Sequence, residues 1–368
     1  MPSTLFFPSS RVRRTPFSRR VDEAGAKAYS VYNHMLIPTC FRSVEEDYAH
    51  LKSAVQLWDV ACERQVEIVG PDALRLIQMA TPRDLAPMKD DQCYYIPMVD
   101  EDGRLLNDPV LIKLSADRYW VSIADSDVLF YFKGLANGFG LDVRVFEPDL
   151  SPLGIQGPKT DELVRRVFGE DIAAIRFFRH STISVQGKAM IIARSGFSHQ
   201  GGFEIYVDGT EHGEPLWDRL MEAGEDLNIR AGGPNGIERI EAGLLSYGGD
   251  ITREHTPFEA GLGNYCHLDR ATSCLGRGAL MAKREPSRQI RPVEIAGDAI
   301  PPLGHPWPLK DEGGNPTGRI SAAACSPDFR TNVAIAMVDR AHWEPGTELV
   351  VEAPDGPRAV CVRQKFWI

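Results

Sequence analysis

The segments "RQVEIVGPDALRLIQMA" (64–80) and "SPLGIQGPKTDELVRRVFG" (151–169) decide the fold. Each reads as a strand, a Gly-Pro break and a helix, with proline in the first helical turn, where its missing N–H removes no hydrogen bond. The pattern occurs at 65–79 and again at 153–168, and predicts two related α+β half-domains.

Outward from these anchors the chain keeps the same mixed texture. "SVEEDYAHLKSAVQLWDVA" (43–61) opens with Ser43, places Glu46 three residues on in capping-box order, and spaces Leu51, Val55 and Trp58 along one face. That pattern predicts a helix through the stretch. "CYYIPMVDEDGRLLNDPVLIKLSADRYWVSIA" (93–124) holds three β-rich runs separated by "DEDG" and "SADR", which predicts a meander. "SDVLFYFKGLANG" (126–138), "EPLWDRLMEAGEDL" (214–227) and "PNGIERIEAGLLSYG" (234–248) read as helices, and 182–207 as strands. After about residue 284, short strands alternate with Pro and Gly turns. The predicted organisation is an extended arm (1–42), a bilobed α+β domain (43–283) and an all-β, barrel-like domain (284–368).

Composition narrows the function. The 368 residues are 43% hydrophobic and 25% charged, with no apolar run near the roughly 20 residues that cross a bilayer. The "LFF" of the N-terminus is too short for a secretory signal, so a cytoplasmic protein without a membrane span is expected. A net charge of -10 argues against a nucleic-acid partner. Seven cysteines without a C-x-x-C argue against a disulfide framework or structural zinc, and are expected to be reduced and mostly buried. No H-E-x-x-H, paired histidines at ligand spacing, phosphate-binding glycine loop or G-x-S-x-G occurs, so no resident metal is expected.

Three polar clusters resist a purely structural reading. In "GRLLNDPVLIKL" (103–114), Asn107 and Asp108 interrupt an apolar strand pair, and a carboxylate inside a sheet is costly unless something holds it. In "FEIYV" (203–207), Phe203, Ile205 and Val207 face one way while Glu204 and Tyr206 face the other. "ERIEAGLLSYGGDI" (238–251) sets Glu238, Arg239 and Glu241 on one helix turn and follows them with Tyr247 and Asp250.

"GRLLNDPVLI", "SPLGIQGP", "SGFSHQGGFEIYV", "ERIEAGLLSYGGDI" and "TPFEAGLG", in that order, resemble the landmark motifs of the T-protein family of the glycine cleavage system, whose members bind tetrahydrofolate. Within it, "RTPF", "YNHMLIPT", "LWDVACERQVEI", "MATPRD", "QCYYIP", "LNDPV" and "SIADSD" are similar to the dimethylsulfoniopropionate demethylases. The resemblance implies a three-lobed cloverleaf, with two related α+β folate-binding lobes and a C-terminal barrel around a central hole that holds folate. Glu204 would meet the donor edge of the pterin with Tyr206 lining the adjacent wall, Asp108 would orient the folate's reactive end or help with its proton, and Arg239 would be the folate-site arginine.

The activity implied is transfer of a methyl group from the sulfonium to N5 of tetrahydrofolate, by a monomer or homodimer acting on small molecules. Aromatic faces suit a sulfonium, which makes Tyr95, Trp120 and Tyr206 candidates for the cationic end, with Ser122 a polar contact on the face of Trp120. Lys113 and Arg83 are possible partners for the substrate carboxylate, though both read as surface residues. T-proteins usually carry paired acids where this chain has Asn107-Asp108, which weakens an amine-handling assignment. Glycine cleavage aminomethyl transfer, demethylation of another onium or methylamine compound, and folate binding without catalysis stay open as alternatives.

Overall fold

The computed structural model describes residue 9 and residues 11–368, so the "LFF" of the expected arm lies outside the described residues. The chain divides into two compact units. The first comprises 1–64, 149–196 and 200–234, and the second 65–148, 197–199 and 235–368.

A six-stranded sheet organises the first unit. Its order is His180–Val185, Lys188–Ala193, Gly202–Asp208, Leu150–Gln156, Val55–Asp59 and Ile229–Gly232. All neighbours are antiparallel except the last pair. Pairing fixes the faces. Leu153 and Ile155 lie opposite Ile205 and Phe203, and these side chains meet Leu163, Leu216, Trp217 and Leu220 from the helices Thr160–Phe168 and Gly213–Ala223 in one apolar core. Glu204 and Tyr206 therefore occupy the opposite face, as the alternation requires.

Two expectations fail in this unit. The helix expected across 43–61 is Val44–Leu51 only, capped by Ser43, whose Oγ accepts the amide of Glu46 at 3.1 Å. Residues Val55–Asp59 form a strand buried on both faces. A strand covered on both sides has no polar alternation, so Leu51, Val55 and Trp58 fit a helical period by coincidence. The expected extended arm carries a short helix, Ser18–Glu23, and a hairpin, Ala28–Tyr32 with Met35–Cys40. Phe17 and Val21 pack into the apolar core of this unit, which orders the arm.

The second unit contains a five-stranded antiparallel sheet, Arg144–Phe146, Gln65–Val69, Arg118–Ser122, Val110–Ser115 and Cys93–Tyr95 in that order. Val66, Ile68, Leu111, Tyr119 and Val121 turn one face onto the helices Ala73–Ala80 and Val128–Gly138. The expected meander is interrupted, because Met98–Val99 and Leu105–Asn107 pair only with each other. The unit ends in a closed six-stranded barrel, Arg288–Ile295, Thr331–Asp339, Pro316–Ser326, Trp307–Lys310, Glu348–Ala353 and Gly356–Val362. On Thr331–Asp339, Ala334, Ala336 and Val338 fill the barrel while Val333, Ile335 and Met337 pack outside it with Ile240. The last six residues are not strand; the amides of Trp367 and Ile368 donate to the Glu241 carbonyl.

The helix expected at 234–248 is Gly236–Ala242, stopped by Gly243 at φ +70°. The cysteines are all free, but only Cys62, Cys93 and Cys274 are buried and Cys361 is exposed, so they are less buried than expected.

Candidate active site

Sheet register brings three of the expected residues onto one surface. Tyr95 pairs with Val110, Val110 with Ser122, and Ser122 with Gln65, so these four form one row across the sheet. The next row is Cys93, Ile112, Trp120 and Glu67. Tyr95, Ser122 and Trp120 thus share the face opposite the apolar core, since cross-strand partners point the same way. Asp108 stands two residues before Val110, at the edge of this face, and the Tyr95 hydroxyl donates to its Oδ2 at 2.8 Å.

Asp108 is half-buried, and desolvation pushes its carboxyl up to about 7 although the bond from Tyr95 pulls the other way. Asp250 adds a repulsive charge nearby. Asn107, in contrast, is fully buried and ties the following turn. Its Nδ2 donates to the Ala124 carbonyl and the Ser126 hydroxyl, and its Oδ1 accepts the amides of Asp108 and Ala124. Asn107 therefore orients the backbone that carries Asp108.

The remaining residues of this face are held by partners that leave no mark in the sequence. Gln65 donates to the Ser122 hydroxyl at 2.9 Å. The Trp120 indole N–H donates to Glu67 at 3.0 Å, and Arg118 pairs with the same carboxylate at 2.6 Å. The Trp120 ring already faces a cation, since the Arg118 guanidinium lies 5.9 Å from its centroid. Arg83 and Lys113, read as surface residues, are both partly buried and anchored. Lys113 donates to the Met88 carbonyl at 2.8 Å, and Arg83 to the Tyr95 carbonyl at 2.5 Å. Each donates to a backbone oxygen on or just ahead of the edge strand Cys93–Tyr95, which hydropathy alone does not signal.

In the first unit, Glu204 rises from a furrow of small residues, with Gly154 and Ala193 as its cross-strand neighbours. It is 7% exposed, so this face of the strand is closed. Its Oε2 accepts the Ser195 hydroxyl at 2.6 Å and the Tyr206 hydroxyl at 3.3 Å. No hydrogen bond reaches its Oε1 among the described residues. Burial raises the carboxyl above its ordinary value, against the two hydroxyls that favour its charge. A carboxylate with one oxygen pinned and one unclaimed suits a ligand that presents N–H groups. Tyr206 is 0% exposed, and its hydroxyl is engaged by Glu204, so its contribution here runs through that carboxylate.

Ser195 is a candidate site residue that sequence reasoning misses; its one signal is that it opens the run "SGFSHQGG" ahead of the strand. The run is pinned by Gln156, whose Nε2 donates to the Ser195 carbonyl at 3.2 Å. A Cβ on Gly196 or Gly202 would come within 2.0 or 2.2 Å of that amide and displace Gln156, and Gly196 also needs glycine for its left-handed backbone at φ +147°.

Arg239 is placed beside Asp250 in the second unit, donating to it at 2.8 Å and to the Leu244 carbonyl at 3.2 Å. Its neighbours in the motif are structural: Glu238 accepts the amide of His199, Glu241 the hydroxyl of Ser326, and Tyr247 donates to the Leu105 carbonyl. This third polar cluster, which resists a structural reading in the sequence, therefore has one. Among the described residues there is no group of His, Cys, Asp or Glu able to hold a metal, and no helix long and apolar enough to cross a membrane.

Comparison with known proteins bears on the whole chain. Residues 17–270 match the family model for the GCVT N-terminal domain, and residues 288–367 that for the glycine cleavage T-protein C-terminal barrel domain. The dimethylsulfoniopropionate demethylase DmdA of Ruegeria pomeroyi is 57% identical over 363 residues, 98% of this chain and 99% of that protein. An aminomethyltransferase of Caldanaerobacter subterraneus subsp. tengcongensis is 27% identical over 355 residues, 92% of this chain and 94% of that one. The crystal structure of glycine cleavage system aminomethyltransferase T from Bartonella henselae superposes with a TM-score of 0.86 at 23% identity, covering 97% of this chain and 98% of that one. With both family models matched in order and a relative so similar from end to end, the chain belongs to the glycine cleavage T-protein family.

Proposed function

We propose that this protein is a tetrahydrofolate-dependent demethylase of dimethylsulfoniopropionate, working in the cytoplasm as a monomer or homodimer. The observation that carries the reading is the 57% identity, over 98% of the chain, to a protein bearing that name. The geometry adds a chemical reason. Tyr95 and Ser122 share one face beside Asp108, and none of the three needs a metal or a redox partner for the reaction in question.

Tetrahydrofolate supplies the nucleophilic N5 that takes the methyl group as the S–CH3 bond breaks and its electron pair returns to sulfur. Glu204 fits the folate because its Oε1 is unclaimed and its Oε2 is fixed by Ser195 and Tyr206. Donors arriving at Oε1 favour the charged carboxylate and so oppose the upward shift caused by burial. Asp108 is assigned to receive the proton that leaves N5 once the new bond forms, as the family resemblance implies, and a carboxyl that burial pushes up to about 7 is matched to that task near neutrality. Tyr95 keeps the acceptor oxygen of Asp108 oriented and offers its ring to the sulfonium. Arg239, steadied by Asp250, is assigned to the folate as the family resemblance implies. The rate advantage comes chiefly from alignment, which reaches about 7–11 kcal/mol in favourable cases.

Incubation of the purified protein with tetrahydrofolate and dimethylsulfoniopropionate is expected to yield 5-methyltetrahydrofolate and methylmercaptopropionate. Formation of methylene-folate from an aminomethyl-lipoyl carrier protein, with no turnover of the sulfonium, would instead assign the chain to glycine cleavage.

A further inference from the structure

Tyr95 is the only described residue whose side chain donates a hydrogen bond to Asp108, and it sits on a strand only three residues long, Cys93–Tyr95. So short a strand does not fix a tyrosine ring by itself. What holds it comes from outside the sheet. The Arg83 guanidinium lies 3.9 Å from the ring centroid of Tyr94 and 5.1 Å from that of Tyr265, and its Nη1 donates to the Tyr95 carbonyl at 2.5 Å. Tyr265 in turn meets the Tyr95 ring edge to face, with centroids 5.3 Å apart and planes at 71°. One cation thus grips the backbone of Tyr95, while the aromatic ring that flanks this cation presses on the side chain of Tyr95.

Both ends of the clamp are anchored. The loop that carries Arg83 is closed by Gln78, whose Nε2 donates to the Thr81 and Arg83 carbonyls and whose Oε1 accepts the Leu85 amide. The turn that carries Tyr265 is stitched to the same loop, with the His267 amide on the Pro82 carbonyl and the Asp84 amide on His267 Nδ1. A planar guanidinium can stack on two rings and still donate in its own plane, which a lysine ammonium cannot do.

We infer that Arg83 and Tyr265 are positioning residues for methyl transfer, which keep the Tyr95 hydroxyl on Asp108. The inference rests on the proposed role of Asp108. Other groups act on that carboxylate as well: Asp250, itself paired with Arg239, repels it, and Tyr247 lies within its field. None of these touches Arg83 or Tyr265, so a change made in the clamp reaches Asp108 through Tyr95.

The test is the pH profile of single-turnover methyl transfer from dimethylsulfoniopropionate. Tyr95→Phe deletes one hydrogen bond to a charged acceptor and is expected to move the midpoint of the acidic limb upward by about one pH unit. Arg83→Met and Tyr265→Leu are expected to move it in the same direction by about half a unit, with at least a two-fold lower rate at neutrality. Tyr265→Phe, which keeps the ring, retains the wild-type midpoint, and Arg83→Met added to Tyr95→Phe gives no further shift. Thermal unfolding of each variant identifies any that fail to fold, and either clamp variant alone suffices for the test. An unchanged midpoint in folded Arg83→Met or Tyr265→Leu, with Tyr95→Phe shifted, overturns the inference and leaves the assignment of Asp108 standing. An unchanged midpoint in Tyr95→Phe as well overturns both.

Discussion

Asp108 and Glu204 are both carboxyls raised by burial, and they are expected to fail in different ways. Asp108→Ala removes the proposed proton acceptor and should lower turnover by about 10²–10⁴-fold with folate affinity nearly unchanged. Glu204→Ala removes the charge-assisted hydrogen bonds proposed to the folate, worth about 1.5–3 kcal/mol, and should weaken folate roughly 10- to 100-fold while sparing the rate at saturation. Titration calorimetry alongside steady-state kinetics separates the two. In the proposed role Asp108 acts ionised, so turnover should rise with pH through its midpoint at about 7. Asp59 gives a stability counterpart. It lies in the sheet of the first unit, accepting from Thr15 at 2.6 Å and from the Ala61 amide, and burial pushes it to about 6 from an ordinary 3.8. A carboxyl raised in the folded state favours folding below its unfolded pKa, and that contribution is lost as pH rises through about 6. A rise of that size corresponds to about 3 kcal/mol, so in urea unfolding the decline between about pH 4 and 6 should be smaller in Asp59→Asn than in the natural protein by up to that amount, while the raised Asp108 and Glu204 carboxyls keep their own share of it.

The two Gly-Pro turns show what was legible at the scale of elements. Gly70 and Gly157 both adopt left-handed backbone, at φ +142° and +121°. A Cβ on Gly70 would lie 2.3 Å from the Asp142 carbonyl, and one on Gly157 2.4 Å from that of Ala54. The motif was readable because this close approach admits only glycine. Gly157→Ala is therefore expected to destabilise the fold by about 1–3 kcal/mol in thermal unfolding, whereas Gly134→Ala, on an exposed helical turn with open space around it, should stabilise by about 0.5–1 kcal/mol. The strand Val55–Asp59 was not readable, since burial on both faces erases the alternation that marks a strand. Arg239 shows a further limit. Its place in the motif suggests a ligand contact, but its bond to Asp250 depends on a chain reversal that spacing does not reveal. Arg239→Met should leave the buried Asp250 without its countercharge, held by the Ser246 amide and the Ser321 hydroxyl alone, and lower stability by about 3 kcal/mol, in addition to any effect on folate.

For the whole molecule, the family was legible before the geometry was, because ordered motifs spread over nearly the entire chain. The partners of the site residues were not. Tyr95, Ser122 and Trp120 come from two strands, and only sheet register puts them on one face; Ser195, Gln65 and Arg83 act through contacts that leave no sequence mark. The account as a whole requires the methyl carbon to pass directly from sulfur to N5. Carbon-13 NMR of the purified protein mixed with tetrahydrofolate and methyl-labelled dimethylsulfoniopropionate measures that transfer. The label is expected on N5 as 5-methyltetrahydrofolate, in step with loss of the sulfonium signal and without added metal or oxidant. A sulfonium signal that persists while the same preparation binds folate would contradict it.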